Sequence, residues 1–281
     1  MRIVKLILLV PFIGALFFFT GSHLAGCNKK TVVDSVYIIR DTTITDSLTD
    51  IWTGLVAYYN FNNGSLMDSS GYGNNITFSN ANPTSDRYGR PNNAFLFDGA
   101  TAEMSVPNSP SLNPSAITLY AIFKINGFLG TECHANQILA KGGPDDYIDG
   151  WYVLRFDAFP ACSLPVDSTK EIPIAGFGNN NSPDGEAAGT GGNNTSYLTK
   201  GVWYKVAYTY DGAISKMYIN GVLVDSTIKS APFTPNSYPL SIGYNEDPSW
   251  PYWFNGVIDE IRIYNRALGP AAIQALANQT N

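Results

Sequence analysis

The chain has 281 residues, 13% of them aromatic and 14% charged, with 26 glycines, 17 prolines and a formal net charge of −6. Such an acidic surface repels nucleic acid and anionic lipid, which excludes a nucleic-acid partner. The glycine, proline and aromatic content goes with short strands separated by tight turns, the marks of an all-β sandwich.

The N-terminus carries Arg2 and Lys5, then an apolar run from Leu6 to Phe19, then the small and polar Thr20-Gly21-Ser22-His23 before Cys27. This order of charged, greasy and polar regions is that of a secretory signal. A bilayer span needs about 20 apolar residues, whereas this run has roughly 15 and contains Pro11 and Gly14, so residues 1–26 are expected to be a cleaved leader. Leu24-Ala25-Gly26-Cys27 resembles the bacterial lipobox. The resemblance implies a diacylated, palmitate-bearing Cys27 as the mature N-terminus, attached to a membrane through lipid only. The expected place is the cell envelope, at the outer membrane. Asn28-Lys29-Lys30 lacks the acidic run that some Bacteroidetes use to send lipoproteins outward, so periplasmic and surface-facing orientations both stay open.

Residues 27–53 are rich in Thr, Asp and Ser, lack the apolar mass for a core, and read as an extended tether. Asp34-Ser35-Val36, Asp41-Thr42-Thr43 and Asp46-Ser47-Leu48 resemble an O-glycosylation acceptor of some Bacteroidetes; the alternative is a plain Thr/Asp-rich linker.

Residues 54–281, roughly 225 in number, suit one large domain better than two. Ile117 to Phe123 is apolar on both faces, as in a strand central to a layered sandwich. Besides Cys27 the chain has only Cys133 and Cys162, which in an oxidising compartment read as one disulfide stapling a loop region; two buried free thiols are the alternative. From Trp203 to Thr227 the turns Asp211-Gly212 and Asn220-Gly221 predict a three-stranded meander. Alternation puts Val206, Tyr208 and Tyr210 on one face, with Met217 and Ile219 on the core side of the next strand. One helix is expected near the end, with Pro270 at its first position and Ile273 and Leu276 on one side, plugging an edge of the sandwich.

Six segments share an order: Gly54-Leu55-Val56-Ala57-Tyr58-Tyr59-Asn60-Phe61, Asp68-Ser69-Ser70-Gly71-Tyr72-Gly73-Asn74-Asn75, Ala94-Phe95-Leu96-Phe97-Asp98-Gly99, Trp203 to Gly212, Met217-Tyr218-Ile219-Asn220-Gly221, and Phe254 to Leu268. Together they resemble the laminin-G-like, concanavalin A-type jelly roll of bacterial surface proteins, from Gly54 to Ala277. The resemblance implies an all-β, two-sheet antiparallel jelly-roll sandwich with a short C-terminal helix, preceded by signal peptide and tether. Function has to come from a site, because this fold hosts many.

Hydrolases of this fold family place paired carboxylates two residues apart on one strand. Asp259 and Glu260 are adjacent, so regular alternation sends them to opposite faces, and neither His134 nor any Ser carries a nucleophile motif. The expectation is therefore no enzyme. The family resemblance also implies a possible structural calcium at the sandwich edge, with Asp68 and Asp259 as candidate ligands; the alternative for Asp68 is an Asx-type turn cap.

The most distinctive segment is Gly243 to Trp253, where Tyr244, Asn245, Trp250, Tyr252 and Trp253 stand among two prolines and two acids. Stiffened aromatic rings beside hydrogen-bonding groups suit the C–H faces and hydroxyls of sugars. Tyr147 and Trp151 are candidates to join them, with Arg155 on the strand face of Trp151. The competing reading makes these rings loop plugs. Trp203 is expected in the core, and Phe177 to Asn194 as a polar loop. The reading that follows is a lipid-anchored extracytoplasmic module binding a glycan or glycoconjugate through loop aromatics. The alternative is a protein-protein adhesion or assembly component using the same patch on a surface protein.

Overall fold

The computed structural model describes residues 50–128, 136–142, 151–157, 170–178, 186–188, 196–228, 233–245 and 251–280. In chain order its strands are β1 (Leu55–Tyr59), β2 (Phe78–Ser79), β3 (Asn82–Thr84), β4 (Ala94–Asp98), β5 (Met104–Val106), β6 (Ile117–Gly127), β7 (Asn136–Lys141) and β8 (Trp151–Asp157). They continue with β9 (Lys170–Gly178), β10 (Glu186–Ala188), β11 (Leu198–Thr199), β12 (Trp203–Tyr210), β13 (Ile214–Ile219), β14 (Val222–Ile228), β15 (Leu240–Ile242) and β16 (Asn255–Tyr264), and end in helix α1 (Pro270–Asn278).

These form two eight-stranded antiparallel sheets. The first runs β14-β13-β12-β6-β16-β4-β3, with β1 also on β16; the second runs β10-β9-β8-β7-β15-β5-β2, with β11 on β9. This is the expected jelly-roll sandwich with one short C-terminal helix. The core between the sheets takes Leu119, Ala121 and Phe123 from β6, Val206, Tyr208 and Tyr210 from β12, and Met217 from β13. The other face of β6, Tyr120 and Ile122, is buried too, in a second cluster on the outside of the first sheet. A central strand buried on both faces is therefore what the unbroken apolar run encodes.

The meander follows its turn chemistry. Asn220 and Gly221 both take left-handed conformations, with φ of 52° and 83°, as a two-residue hairpin turn requires. Asp211 accepts the N–H groups of Ala213 and Ile214, closing the other turn.

Four expectations need correction. Helix α1 lies on a sheet face, not an edge: Ala272, Ile273 and Leu276 pack with Tyr120, Ile122, Ala207 and Tyr218, because that outer face is itself apolar. The Lys205 ammonium donates to the Ala277 carbonyl near the helix C-terminus, where a cation is favoured. Trp203 sits on this same outer face, half-buried under the Lys124 ammonium, because its neighbour Tyr204 faces the core and alternation sends Trp203 outward. The stretch from Phe177 is not wholly polar: Phe177 is buried and stacks on Phe233 with centroids 4.7 Å apart, and β10 follows. Finally, the folded part begins before Gly54. Ile51 is buried, Tyr264 Oη donates to its carbonyl at 2.9 Å, and Arg266 donates to the carbonyls of Thr53 and Asp50 at 2.7 Å each.

Candidate binding site

The β15–β16 connection is built as a clamp. The Phe254 N–H donates to the Gly243 carbonyl at 2.9 Å, and the Asn245 N–H to the Pro251 carbonyl at 2.7 Å, so the two stems are zipped together. Gln137 of β7 ties them to the second sheet by donating its N–H to the Tyr252 carbonyl at 2.8 Å. Phe254 anchors the base in the core against Phe97, Phe123 and Phe156.

On that base Tyr244 and Trp253 stack with centroids 5.5 Å apart and planes 21° from parallel. Tyr252 adopts a left-handed φ of 44° and meets the Arg155 guanidinium 5.7 Å from its ring centre. Tyr244, Tyr252 and Trp253 are all half-buried, and Asn245 is buried. A crevice of about 10 Å³ runs beside them, lined by Gln137, Lys141, Val153, Arg155 and Asn245. It has room for about one water, so a ligand would lie on the rings and not within the crevice. The structure thus brings Tyr244, Asn245, Tyr252 and Trp253 together with Arg155. Tyr147 and Trp250 lie outside the described residues, and of Trp151 only the backbone, at the start of β8, is described.

The carboxylates are arranged differently from the sequence expectation. Asp68 accepts from the Tyr58 and Ser70 N–H groups through Oδ1, and from Ser70 Oγ and the Asn74 N–H through Oδ2, all within 2.7–2.9 Å. Asp259 Oδ1 lies 2.7 Å from Arg87 Nη1, while its Oδ2 accepts the Arg87 N–H at 3.0 Å. Burial raises the pKa of Asp259 although Arg87 opposes it. Glu260 pairs with Arg262 at 2.7 Å, and its pKa too is raised by burial. Asp259 and Glu260 do not sit on opposite faces: both line one pocket with Tyr58 and Arg87, because the strand is irregular between Ile258 and Glu260. Sequence reasoning missed Arg87, which no local pattern links to a residue 172 positions away.

The family described as the concanavalin A-like lectin/glucanases superfamily, Laminin_G_3, matches residues 98–274. The chain belongs to this superfamily. Among solved structures, domain 4 of AbnA, a GH43 extracellular arabinanase from Geobacillus stearothermophilus, in complex with arabinotriose, is 21% identical with a TM-score of 0.55, covering 80% of this chain and 98% of that one. The binding domain of botulinum neurotoxin DC in complex with SialylT is 14% identical with a TM-score of 0.55. The same domain in complex with rat synaptotagmin II is 16% identical with a TM-score of 0.56. The match covers 82% and 81% of this chain respectively, but only 52% of either neurotoxin chain. At these identities the likeness concerns the fold. No curated protein matches the sequence.

In this superfamily member, Asp68 and Asp259 do not fit a shared calcium site. A carboxylate has about four lone-pair positions, and Asp68 has already accepted four donors, as a turn cap does. Asp259 is held by a guanidinium, a cation already in the place a metal would take. Among the described residues no group of three metal-binding side chains occurs. Cys27, Cys133 and Cys162 lie outside the described residues.

Proposed function

We propose that the protein is a lipid-anchored extracytoplasmic binding module that captures a glycan or glycoconjugate on the Tyr244–Trp253 platform, with Tyr252, Arg155 and Asn245 at its margin. One observation carries this: two stacked rings of half-buried residues are fixed by backbone hydrogen bonds between the loop stems and to β7, and by Phe254 in the core. A rigid aromatic surface loses little entropy when a sugar ring lies on it, and neighbouring amide and guanidinium groups satisfy hydroxyls. The arabinotriose and SialylT complexes of similarly folded domains support the ligand class. Asp259 and Glu260 each face an arginine, an arrangement that favours binding over sugar-bond hydrolysis.

This reading includes attachment to the outer membrane through acylated Cys27, with the Thr-, Asp- and Ser-rich sequence that follows it as the tether. Among the described residues no helix is long and apolar enough to cross a membrane. Glycan-array binding of the full chain against Trp253→Ala tests the reading. Saccharide binding that the variant loses while its melting midpoint is kept supports it; a wild-type chain that binds no saccharide refutes it.

A protein partner is the second reading, favoured by exposed apolar residues on the edge strand β14, where Val222 is 63% and Ile228 87% exposed. Partner capture that survives Trp253→Ala and is lost in Ile228→Lys would support it.

A further inference from the structure

Strand β16 has two short neighbours on one side: β4 pairs with Asn255 to Ile258, and β1 with Ile261 to Tyr264. On that side neither Asp259 nor Glu260 has a ladder partner. On the other side the register against β6 shifts between Ile258 and Glu260. A bulge of this kind re-aims side chains, and here it opens a pocket of about 130 Å³ whose lining includes Tyr58, Asn60, Arg87, Arg90, Asp259 and Glu260.

Its charges are matched. Arg87 faces Asp259, Arg262 faces Glu260, and Arg90 Nε binds Asp86 Oδ2 at 2.6 Å. Arg87 is nevertheless incompletely used. Its side chain is 7% exposed, and only Nη1 reaches Asp259; Nε and Nη2 meet no acceptor in hydrogen-bonding geometry. Those two nitrogens form the lateral fork of the guanidinium, with two parallel N–H donors. The half-exposed Tyr88 ring lies over the group, 4.6 Å from its centre. Asp259 accepts one donor at each oxygen, which leaves lone pairs for more.

The pocket therefore offers a two-pronged donor and an acceptor side by side. A further anion would meet two buried carboxylates in a chain of net charge −6, so the geometry favours a neutral group that both accepts and donates. Adjacent hydroxyls on a sugar ring do both. The volume is below the ~300 Å³ at which drug-sized pockets begin, which limits the occupant to about one ring. We propose that this notch is a second saccharide subsite. It takes a terminal neutral sugar residue, whose vicinal hydroxyl oxygens accept from Arg87 Nε and Nη2 while a hydroxyl proton goes to Asp259. The subsite uses none of the aromatic-loop residues and stands or falls independently of them.

The test is saturation-transfer NMR on the full chain with methyl α-D-mannopyranoside, methyl β-D-galactopyranoside and methyl α-L-arabinofuranoside, and with glucuronate as the anionic comparison. Arg87→Lys keeps a cation opposite Asp259 and removes the fork. Asn62→Trp puts a large ring at an exposed lining position that belongs to neither ion pair, and decides the matter should Arg87→Lys not fold. At least one neutral glycoside is expected to bind about tenfold more weakly to both variants. Neutral glycoside signals unchanged in Asn62→Trp or in a folded Arg87→Lys, absent from the wild type, or weaker than those of glucuronate would overturn the proposal. Signals lost only in Trp253→Ala would overturn it while leaving the aromatic platform standing.

Discussion

Glu260→Gln probes the buried charges beneath the outer face of the first sheet. Arg262 is fully buried and Glu260 nearly so, with 2.7 Å between Nε and Oε1. The guanidinium also lies 4.3 Å from the Tyr58 ring centre and 5.6 Å from that of Trp52, and its Nη2 donates to Tyr58 Oη at 3.2 Å. Glutamine keeps the shape and removes the charge. The rings remain, but their attraction for a cation is only about 0.5–2 kcal/mol, far less than a buried counter-ion supplies. Removing one partner of a buried pair costs about 3–5 kcal/mol, because the other charge stays desolvated. At roughly 2–4 °C per kcal/mol for a domain of this size, the melting midpoint should fall by about 6–20 °C. Urea unfolding measures the loss as a lower midpoint with an unchanged slope. Adding Arg262→Met should recover part of it, since it removes the stranded buried cation while the glutamine amide stays buried. A single variant that loses less than about 1 kcal/mol, or a double variant no more stable than the single, refutes the reasoning.

Other consequences are simpler to read. Gly243 has a φ of 84°, and a Cβ there would lie 2.2 Å from Cε1 of the buried Phe97, so Gly243→Ala should cost about 2–5 kcal/mol from left-handed strain and overpacking; a midpoint in urea close to wild type would contradict this. Chelation followed by calcium addition should leave the melting midpoint unmoved, because Asp68 and Asp259 are already engaged; a calcium-dependent rise would restore the metal reading. Acid should destabilise the fold in a defined window. Hydrogen bonds from Thr53 bring Asp50 down to about 2, the Thr101 N–H lowers Asp98, and the Ile214 N–H lowers Asp211. A lowered folded-state pKa gives stability that is present above the unfolded value of 3.8 and is lost as pH falls through the folded one. The midpoint should therefore drop between about pH 4 and pH 2, and Asp98→Asn should flatten that slope while melting lower at pH 7.

The sequence discloses whatever is encoded locally. The Asn220-Gly221 turn, the doubly apolar β6 and the apolar stripe of α1 each follow from a few neighbouring residues. The aromatic loop is legible in the same way, as a dense run of rings and prolines whose stacking pair, Tyr244 and Trp253, needs only the closed stems beneath it. What stayed hidden depends on distant partners. That Ile51 belongs to the fold requires Tyr264; that α1 covers a face requires the outer sides of β6 and β12. The shared orientation of Asp259 and Glu260 requires a bulge against β6, and strict alternation has no way to include an extra residue.

That bulge explains why polar groups collect where they do. The first sheet is covered on both sides, by the second sheet within and by α1 and residues 50–53 without, so an uncompensated charge along β16 would be costly almost anywhere. At Asp259 and Glu260 the ladder on one side is interrupted between β4 and β1, and the loop carrying Arg87 fills part of the gap with a backbone N–H and a guanidinium. The carboxylates are tolerated there because the interruption admits their partners. The same interruption leaves space beside them, so the break in the sheet supplies both the charged groups and the room for a ligand to use them.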